Sequence, residues 1–367
     1  MKKVQPVDKP LFLSVIILII AGFLIFSSAS LGLLATSGNT YSSVAFNQTF
    51  YGLFGGTIAM LVASRIPYKI WRKYAFYLFV GSLILTAMVF LPKIGFAHGG
   101  ARRWLAIGSF TLQPAEFLKT AFILYFATWL ASIKDKVTTL RYGLVPFLIM
   151  LGIIGVIILK QPDTDTFALI LVTGLAMFVT AGGKWRHVGI LFVTAFLGLA
   201  LVAMLRPYVK DRITTFFNPS ENSLTSGYQI QQSLIAIGSG GLTGRGFGQS
   251  VQKFNFLPEP IGDSIFAVAG EEFGFMGTVF LVILYVFFAF RGLKIAIKTE
   301  DMFGRLLVVG IVILIIAQSF VNIGAMLGVL PLSGNPLPFV SHGGTALLLT
   351  LAQVGIILNV SRFQKKT

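Results

Sequence analysis

Apolar runs of about 20 residues, the length that crosses the hydrocarbon core of a bilayer, recur along this chain between short polar connections. They fall near residues 11–34, 44–64, 74–92, 114–133, 143–160, 165–182, 187–206, 264–290, 306–331 and 343–361, and they predict an all-α integral membrane protein of about ten transmembrane helices. One connection is much the longest. It runs over about 207–263, between the seventh and eighth segments, and a loop of that length without its own fold is uncommon unless it is functional. No short repeat or low-complexity tract divides the chain, so residues 1–367 read as a single membrane domain.

Composition agrees with that pattern. Of 367 residues, 55% are hydrophobic and 11% charged, with a mean hydropathy of +0.84, too apolar for burial in one soluble core. The formal charge of +16 does not form a nucleic-acid-binding face, because the basic residues punctuate apolar runs. Clusters such as Lys2, Lys3 and Lys9, then Arg65, Lys69, Arg72 and Lys73, then Arg291, Lys294 and Lys298 fall on alternate connections. The positive-inside rule then places both termini in the cytoplasm and the long connection outside. The N-terminal MKKVQPVDKP with small residues at Ser28–Ser30 imitates a secretory signal, but its apolar core is too long, so the segment reads as a retained first helix. Cysteine is absent, which excludes disulfides, thiolate catalysis and cysteine-based zinc sites.

Acidic residues collect on the outer side: Glu116, Asp163, Asp165, Asp211, Glu221, Glu259, Asp263, Glu271 and Glu272. Two stretches there carry ionisable groups into or beside apolar segments. In GARRWLAIGSFTLQPAEFLK, residues 100–119, Arg102 and Arg103 precede a helix that opens at Pro114 and holds Glu116 and Lys119 on one face. Glu116 suits a helix N-terminus, and the two could form a structural pair, but an intramembrane Lys119 is also a functional candidate. In FLPEPIGDSIFAVAGEEFG, residues 256–274, Asp263 stands where a helix N-cap belongs. Spacing alone favours the cap, the alternative being a carboxylate with a pKa raised by burial that accepts a proton.

Two further stretches are turn-like. Residues 227–253 hold Gly240, Gly241, Gly244, Gly246 and Gly248 with Arg245 and Lys253, either a flexible connection or a cradle of backbone N–H groups for an anion. SGNPLPFVSHGGTALL, residues 333–348, reads as a rigid hairpin between the last two helices. QPDTDTF, residues 161–167, caps the helix that follows, with Asp163 and Asp165 near its start. His98, His187 and His342 are scattered, which argues against a histidine-based metal site, and no metal ligand can be named.

The motifs GARRW, QPAEFLK, QPDTDT, YQIQQSLIAIGSGG, FLPEPIGDSIFAVAGEEFG and PLPFVSHGGTALL, in this order over nearly the whole chain, resemble those of the SEDS family of bacterial cell-wall polymerases. Its members RodA and FtsW serve elongation and division, and GARRW with QPAEF is more similar to the FtsW branch. In this resemblance Asp263 matches the family's essential aspartate, Glu116 and Lys119 match a polar pair in the fourth helix, and Arg102 and Arg103 match the outer basic cluster. Asp165 stands where a glycine is usual and His342 where a tyrosine is usual.

The resemblance implies a peptidoglycan glycosyltransferase in the bacterial cytoplasmic membrane. It would polymerise lipid II into glycan strands on the outer face, with inversion and with Asp263 as general base. Arg102, Arg103, Glu116, Lys119, Arg245, Glu259, Ser341 and His342 form the expected group for substrate and pyrophosphate. No cofactor is required, a divalent cation (magnesium or manganese) being the one candidate helper. The implied partners are a class B penicillin-binding protein transpeptidase and other membrane proteins of the division or elongation machinery, and no nucleic acid. The same charges could line a lipid II flippase that makes no bond, or belong to an inactive scaffold.

Overall fold

A computed structural model describes residues 5–36, 38–92, 94–98, 101–107, 110–205, 207–218 and 226–365; Lys2, Lys3 and Glu221, named above for their charge, lie outside them. The chain runs through α1 (Lys9–Thr36), α2 (Gly38–Phe46), a π-helical stretch (Asn47–Gly55), α3 (Gly56–Arg65) and α4 (Tyr68–Ala87). Three strands follow, β1 (Gly95–His98), β2 (Ala101–Ile107) and β3 (Phe110–Leu112). Then come α5 (Pro114–Ile133), α6 (Val145–Lys160), α7 (Thr164–Thr180), α8 (Trp185–Leu205), α9 (Pro207–Phe217) and α10 (Ser226–Ser239). The chain finishes with α11 (Ile265–Lys298), α12 (Met302–Met326) and α13 (Gly344–Ser361).

Among the described residues, eight helices are long and apolar enough to cross a membrane, against the expected figure of about ten. The segments expected over 44–64 and 165–182 are helical but of another kind. The first passes through the π-helical stretch into α3, and the second, α7, has 17 residues. The small antiparallel sheet, in the order β1-β2-β3, departs from an all-helical chain. Its strands are three to seven residues long, too short to leave an alternation that stands out from the apolar runs.

Helix ends follow local chemistry. Pro114 opens α5, where its missing N–H costs nothing. Asp163 caps α7 by accepting from the Thr166 N–H at 3.3 Å, as QPDTDTF predicts, and Asp301 caps α12 through Gly304 at 3.0 Å. α12 is the most enclosed span together with α13. It packs against α5, α7 and α11 through close approaches such as Gly310 against Ile123 and Met177, and Gly292 of α11 against Val312. The chain ends meet at the end of α11 farthest from Asp263: Gln5 N–H donates to Arg362 O and Lys365 N–H to Lys298 O, each at 3.0 Å. Both ends of the described chain therefore share one side. The other end of α11 is up to about 50 Å away at 1.5 Å per residue.

The long connection is not all loop among the described residues. It contains α9 and α10, followed by a run of tight turns from Gly240 to Ser264. Those turns meet a break in α11 at Gly274 (φ 64°, ψ −164°). There the N–H groups of Phe275 and Met276 donate to Gly241 O and Leu242 O, while those of Arg245 and Gly246 donate to Glu271 O and Glu272 O, at 2.9–3.0 Å. Gly240 and Gly244 thus serve backbone-to-backbone approach, and the N–H groups of Gly240, Gly241, Gly244 and Gly246 are taken by backbone carbonyls and not held open for an anion. A Cβ on Gly244, whose φ is +82°, would stand 2.1 Å from Glu272 O. Gly244→Ala is therefore expected to cost at least about 1–3 kcal/mol of strain, seen as a lower melting temperature of the purified protein in detergent.

Candidate active site

The polar groups converge at the end of the bundle where β2, α7, α9, α11 and the segment between α12 and α13 meet. Alternation along β2 turns Arg102 and Arg103 to opposite faces. Arg102 is exposed. Arg103 reaches inward: its Nε donates to Gln161 O at 3.3 Å, its Nη2 to Pro162 O, and its Nη1 lies 4.0 Å from the Asp163 carboxylate. The buried Asp163 carboxyl holds its proton more tightly than an ordinary aspartate, because burial outweighs the attraction of Arg103.

Asp263 lies one residue before the N-cap of α11, and the capping reading is set aside. The N-cap is Ser264, and no side chain caps the helix; the Ser264 Oγ instead accepts from Gln229 Nε2 at 2.9 Å. The Asp263 backbone is held from α12, where Asn322 Nδ2 donates both to Asp263 O at 2.9 Å and to Asn335 O at 3.0 Å. The turn before it depends on Glu259, a non-glycine residue at φ 48° whose carbonyl accepts from the N–H groups of Gly262 and Ser264 at 3.1 Å. Burial, then the negative charges of Glu259 and Asp165, push the half-buried Asp263 carboxyl up to about 7, and Arg212 and Arg103 only partly offset them.

Gly334 marks the centre of the cluster. The point where its Cβ would stand is 3.5 Å from Arg103 Nη1, 3.8 Å from Asp263 Oδ2 and 3.9 Å from Arg212 Nη2. Arg212 arrives from α9 and donates through Nη1 to Asp165 Oδ2 at 2.6 Å; the same oxygen accepts from the Gly334 N–H at 3.0 Å. Arg212 and Gly334 did not stand out in the sequence, although an arginine in the long connection was a signal for the first of them. Asp165, marked as a departure from the family pattern, carries contacts that a glycine there could not make.

Several predicted site residues serve elsewhere. Lys119 and Glu116 are buried as a 2.8 Å ion pair, and the ammonium also donates to Gln318 Oε1 at 2.8 Å. Gln318 in turn donates to Pro336 O at 2.8 Å, so this pair supports the segment carrying Gly334 and does not itself enter the cluster. The Ser341 Oγ is occupied too, donating to Gly262 O at 2.7 Å and accepting from Leu337 N–H at 2.8 Å, which ties the Asp263 turn to that segment. His342 stacks on Phe26 with centroids 6.1 Å apart, and burial pushes its imidazole down to about 4. It is uncharged at neutral pH and supplies no cation for a phosphate.

Arg245 and Lys253 belong to a separate cluster. Arg245 lies 3.5 Å from Glu271, and Lys253 pairs with Glu272 at 2.7 Å. Glu271 follows Asp263 by about 12 Å of helix rise, so Arg245 is not part of the Asp263 group as expected. Among the described residues, no group of three or more His, Asp or Glu side chains gathers as a metal-ion site.

The family described as Cell cycle protein, covering FtsW, RodA and SpoVE, matches residues 9–366. The chain is 37% identical to Stage V sporulation protein E of Bacillus subtilis, over 99% of each chain. It is also 37% identical to a Probable peptidoglycan glycosyltransferase FtsW of Geobacter metallireducens, over 100% of this chain and 98% of that one. Among solved structures it is similar to a chain from a work on structural coordination of polymerization and crosslinking by a peptidoglycan synthase complex, with TM-score 0.79, 26% identity and coverage of 97% and 98%. It is also similar to the rod shape determining protein RodA of Thermus thermophilus, with TM-score 0.70, 25% identity and 98% coverage of both chains.

Proposed function

The chain belongs to the FtsW/RodA/SpoVE family of multi-pass membrane proteins, and from that premise we propose that it is a peptidoglycan glycosyltransferase polymerising lipid II at the outer face of the bacterial cytoplasmic membrane. The observation that carries this reading is the approach of the Asp263 carboxyl and the Arg103 guanidinium to one open point beside Gly334. One group can take a proton, and the other can attract a leaving anion.

In this reading both termini are cytoplasmic and the cluster faces the substrate outside. Asp263 accepts the proton of the acceptor GlcNAc 4-hydroxyl as that oxygen bonds to the anomeric carbon of the donor MurNAc. The carbon–oxygen bond to the pyrophosphate breaks on the opposite face, the electron pair leaves with undecaprenyl pyrophosphate, and the new β-1,4 bond has inverted configuration. A base whose pKa lies near the working pH combines a useful ionised fraction with a strong drive to take the proton. Arg103 would meet the charge developing on the pyrophosphate, a role worth most in a partly water-excluded site. Arg102, exposed on the other face of β2, can attract the anionic lipid from a distance. No step here passes through a metal ion.

The test is glycan-strand formation from purified lipid II by the purified protein with a class B penicillin-binding protein. Strands are expected. Folded protein with its partner that makes none, but moves lipid II across vesicles, would favour the flippase instead. A second expectation concerns Gly334. An added methyl meets its neighbours at ordinary contact distances, so Gly334→Ala should fold with a stability change within about 0.5 kcal/mol. It should nevertheless slow polymerisation about tenfold to hundredfold by occupying the space where the reacting groups meet.

A further inference from the structure

Two guanidinium groups from distant parts of the chain reach one place, beside the Asp263 carboxyl. Arg103 and Arg212 come from different elements, β2 and α9, and their Nη1 and Nη2 atoms stand 3.5 and 3.9 Å from the Gly334 Cβ point. Each is anchored through its other nitrogens, Arg103 by Nε to Gln161 O and Nη2 to Pro162 O, with Nη1 also 4.0 Å from Asp163, and Arg212 by Nη1 to Asp165. Asp165 is in turn tied to the segment beside the cluster, since its Oδ2 accepts from both Arg212 and the Gly334 N–H. The anchoring leaves one edge of each planar fork turned toward the same space. Paired forks of this kind match the several oxygens of a pyrophosphate better than point charges do.

We propose that Arg212 is a second guanidinium of the pyrophosphate site and that Asp165 is its positioning residue. The proposal rests on the glycosyltransferase reading above and deepens it. Arg103 and Arg212 would share the leaving group, and Asp165 would set where Arg212 stops. A simpler reading, in which the 2.6 Å ion pair only staples α9 to α7, leads to different results.

The experiment is polymerisation of lipid II by the protein with its transpeptidase partner, comparing wild type, Arg212→Ala, Arg212→Gln and Asp165→Asn, with inorganic pyrophosphate as an added inhibitor. Arg212→Ala should lower kcat by about 10²-fold, the usual cost of losing one preorganised charge-stabilising donor, and should lose most inhibition by pyrophosphate. Arg212→Gln keeps a hydrogen bond to Asp165 and serves if the alanine variant does not fold; it should show the same loss. Asp165→Asn should lower kcat in the same direction as Arg212→Ala but by less, and weaken inhibition by pyrophosphate. It should also move the acid limb of the kcat/KM profile to lower pH, because of the charges facing Asp263 (Glu259, Asp165, Arg212 and Arg103) it removes one that helps hold the proton there. Variants that lose only melting temperature, with pyrophosphate inhibition and the pH limb unchanged, would overturn the proposal while leaving the glycosyltransferase reading intact. A wild type that forms no strands would overturn both.

Discussion

Asp263→Asn removes glycan-strand formation while leaving a folded protein: this is the larger of two expected effects, a loss of about 10²–10⁴-fold in rate if Asp263 is the general base. Asparagine keeps the shape and cannot take the proton. For the wild type, kcat/KM should rise with pH and level off above about 7, because the carboxylate is the active form and the folded group ionises there. The stability of the same residue runs the other way. An unfolded aspartate loses its proton near 3.9, whereas folded Asp263 keeps it to about 7, so the wild type loses stability as pH rises between those values. Asp263→Asn carries no such cost, and its melting temperature relative to wild type should be higher at pH 8 than at pH 4. Strands from Asp263→Asn at the wild-type rate would remove the base from the mechanism.

The second large effect concerns stability. Lys253 and Glu272 pair at 2.7 Å with both side chains at 0% exposure. Glu272 Oε1 also accepts from Ser28 Oγ at 2.5 Å, and Lys253 Nζ donates to Ser28 Oγ at 3.0 Å and to Gly248 O at 2.8 Å. Beside them, Glu271 accepts from Ser250 Oγ at 2.6 Å and from the N–H groups of Val251 and Gln252 at 3.1 and 3.2 Å. The network fastens the turns after α10 to α1 and α11. Lys253→Met leaves a buried carboxylate without its cation, a change that costs about 3–5 kcal/mol and should lower the melting temperature in detergent by roughly 10 °C. The double variant Lys253→Met with Glu272→Gln removes both charges and should recover most of the loss. If the single variant is as stable as wild type, the pair is not holding these elements together. Activity should follow stability in both variants, because this cluster is separate from the one around Gly334.

What could be read from the chain before its structure follows the range of the interaction involved. Apolar length and helix caps depend on neighbours a few residues away, so the spans, the opening of α5 at Pro114 and the Asp163 cap were legible. Short elements were not. The strands between α4 and α5 have too few residues to stand out by periodicity, and the helices α9 and α10 are shorter and more polar than membrane-length apolar runs, so the long connection read as a loop. The glycines after α10 showed that tight backbone was needed, but only the break at Gly274 showed that its purpose was contact with α11.

Site residues divide in the same way. Arg103, Glu259 and Asp263 could be named because each sits in a local pattern of charge beside an apolar run, and for Asp263 the family resemblance chose between cap and base. Their partners could not. Lys119, Ser341 and His342 lie in equally suggestive motifs, yet Gln318, Gly262 and Phe26 decide what those side chains do, and each of these partners belongs to another stretch of chain. The sequence by itself determined that this chain is apolar enough to span a membrane, where its long apolar helices run, and where charge stands beside them, because solvation and capping are local. Only the tertiary structure decided that Arg103, Asp165, Arg212, Asp263 and Gly334 share one space, because that meeting is set by helix packing between segments far apart in the chain.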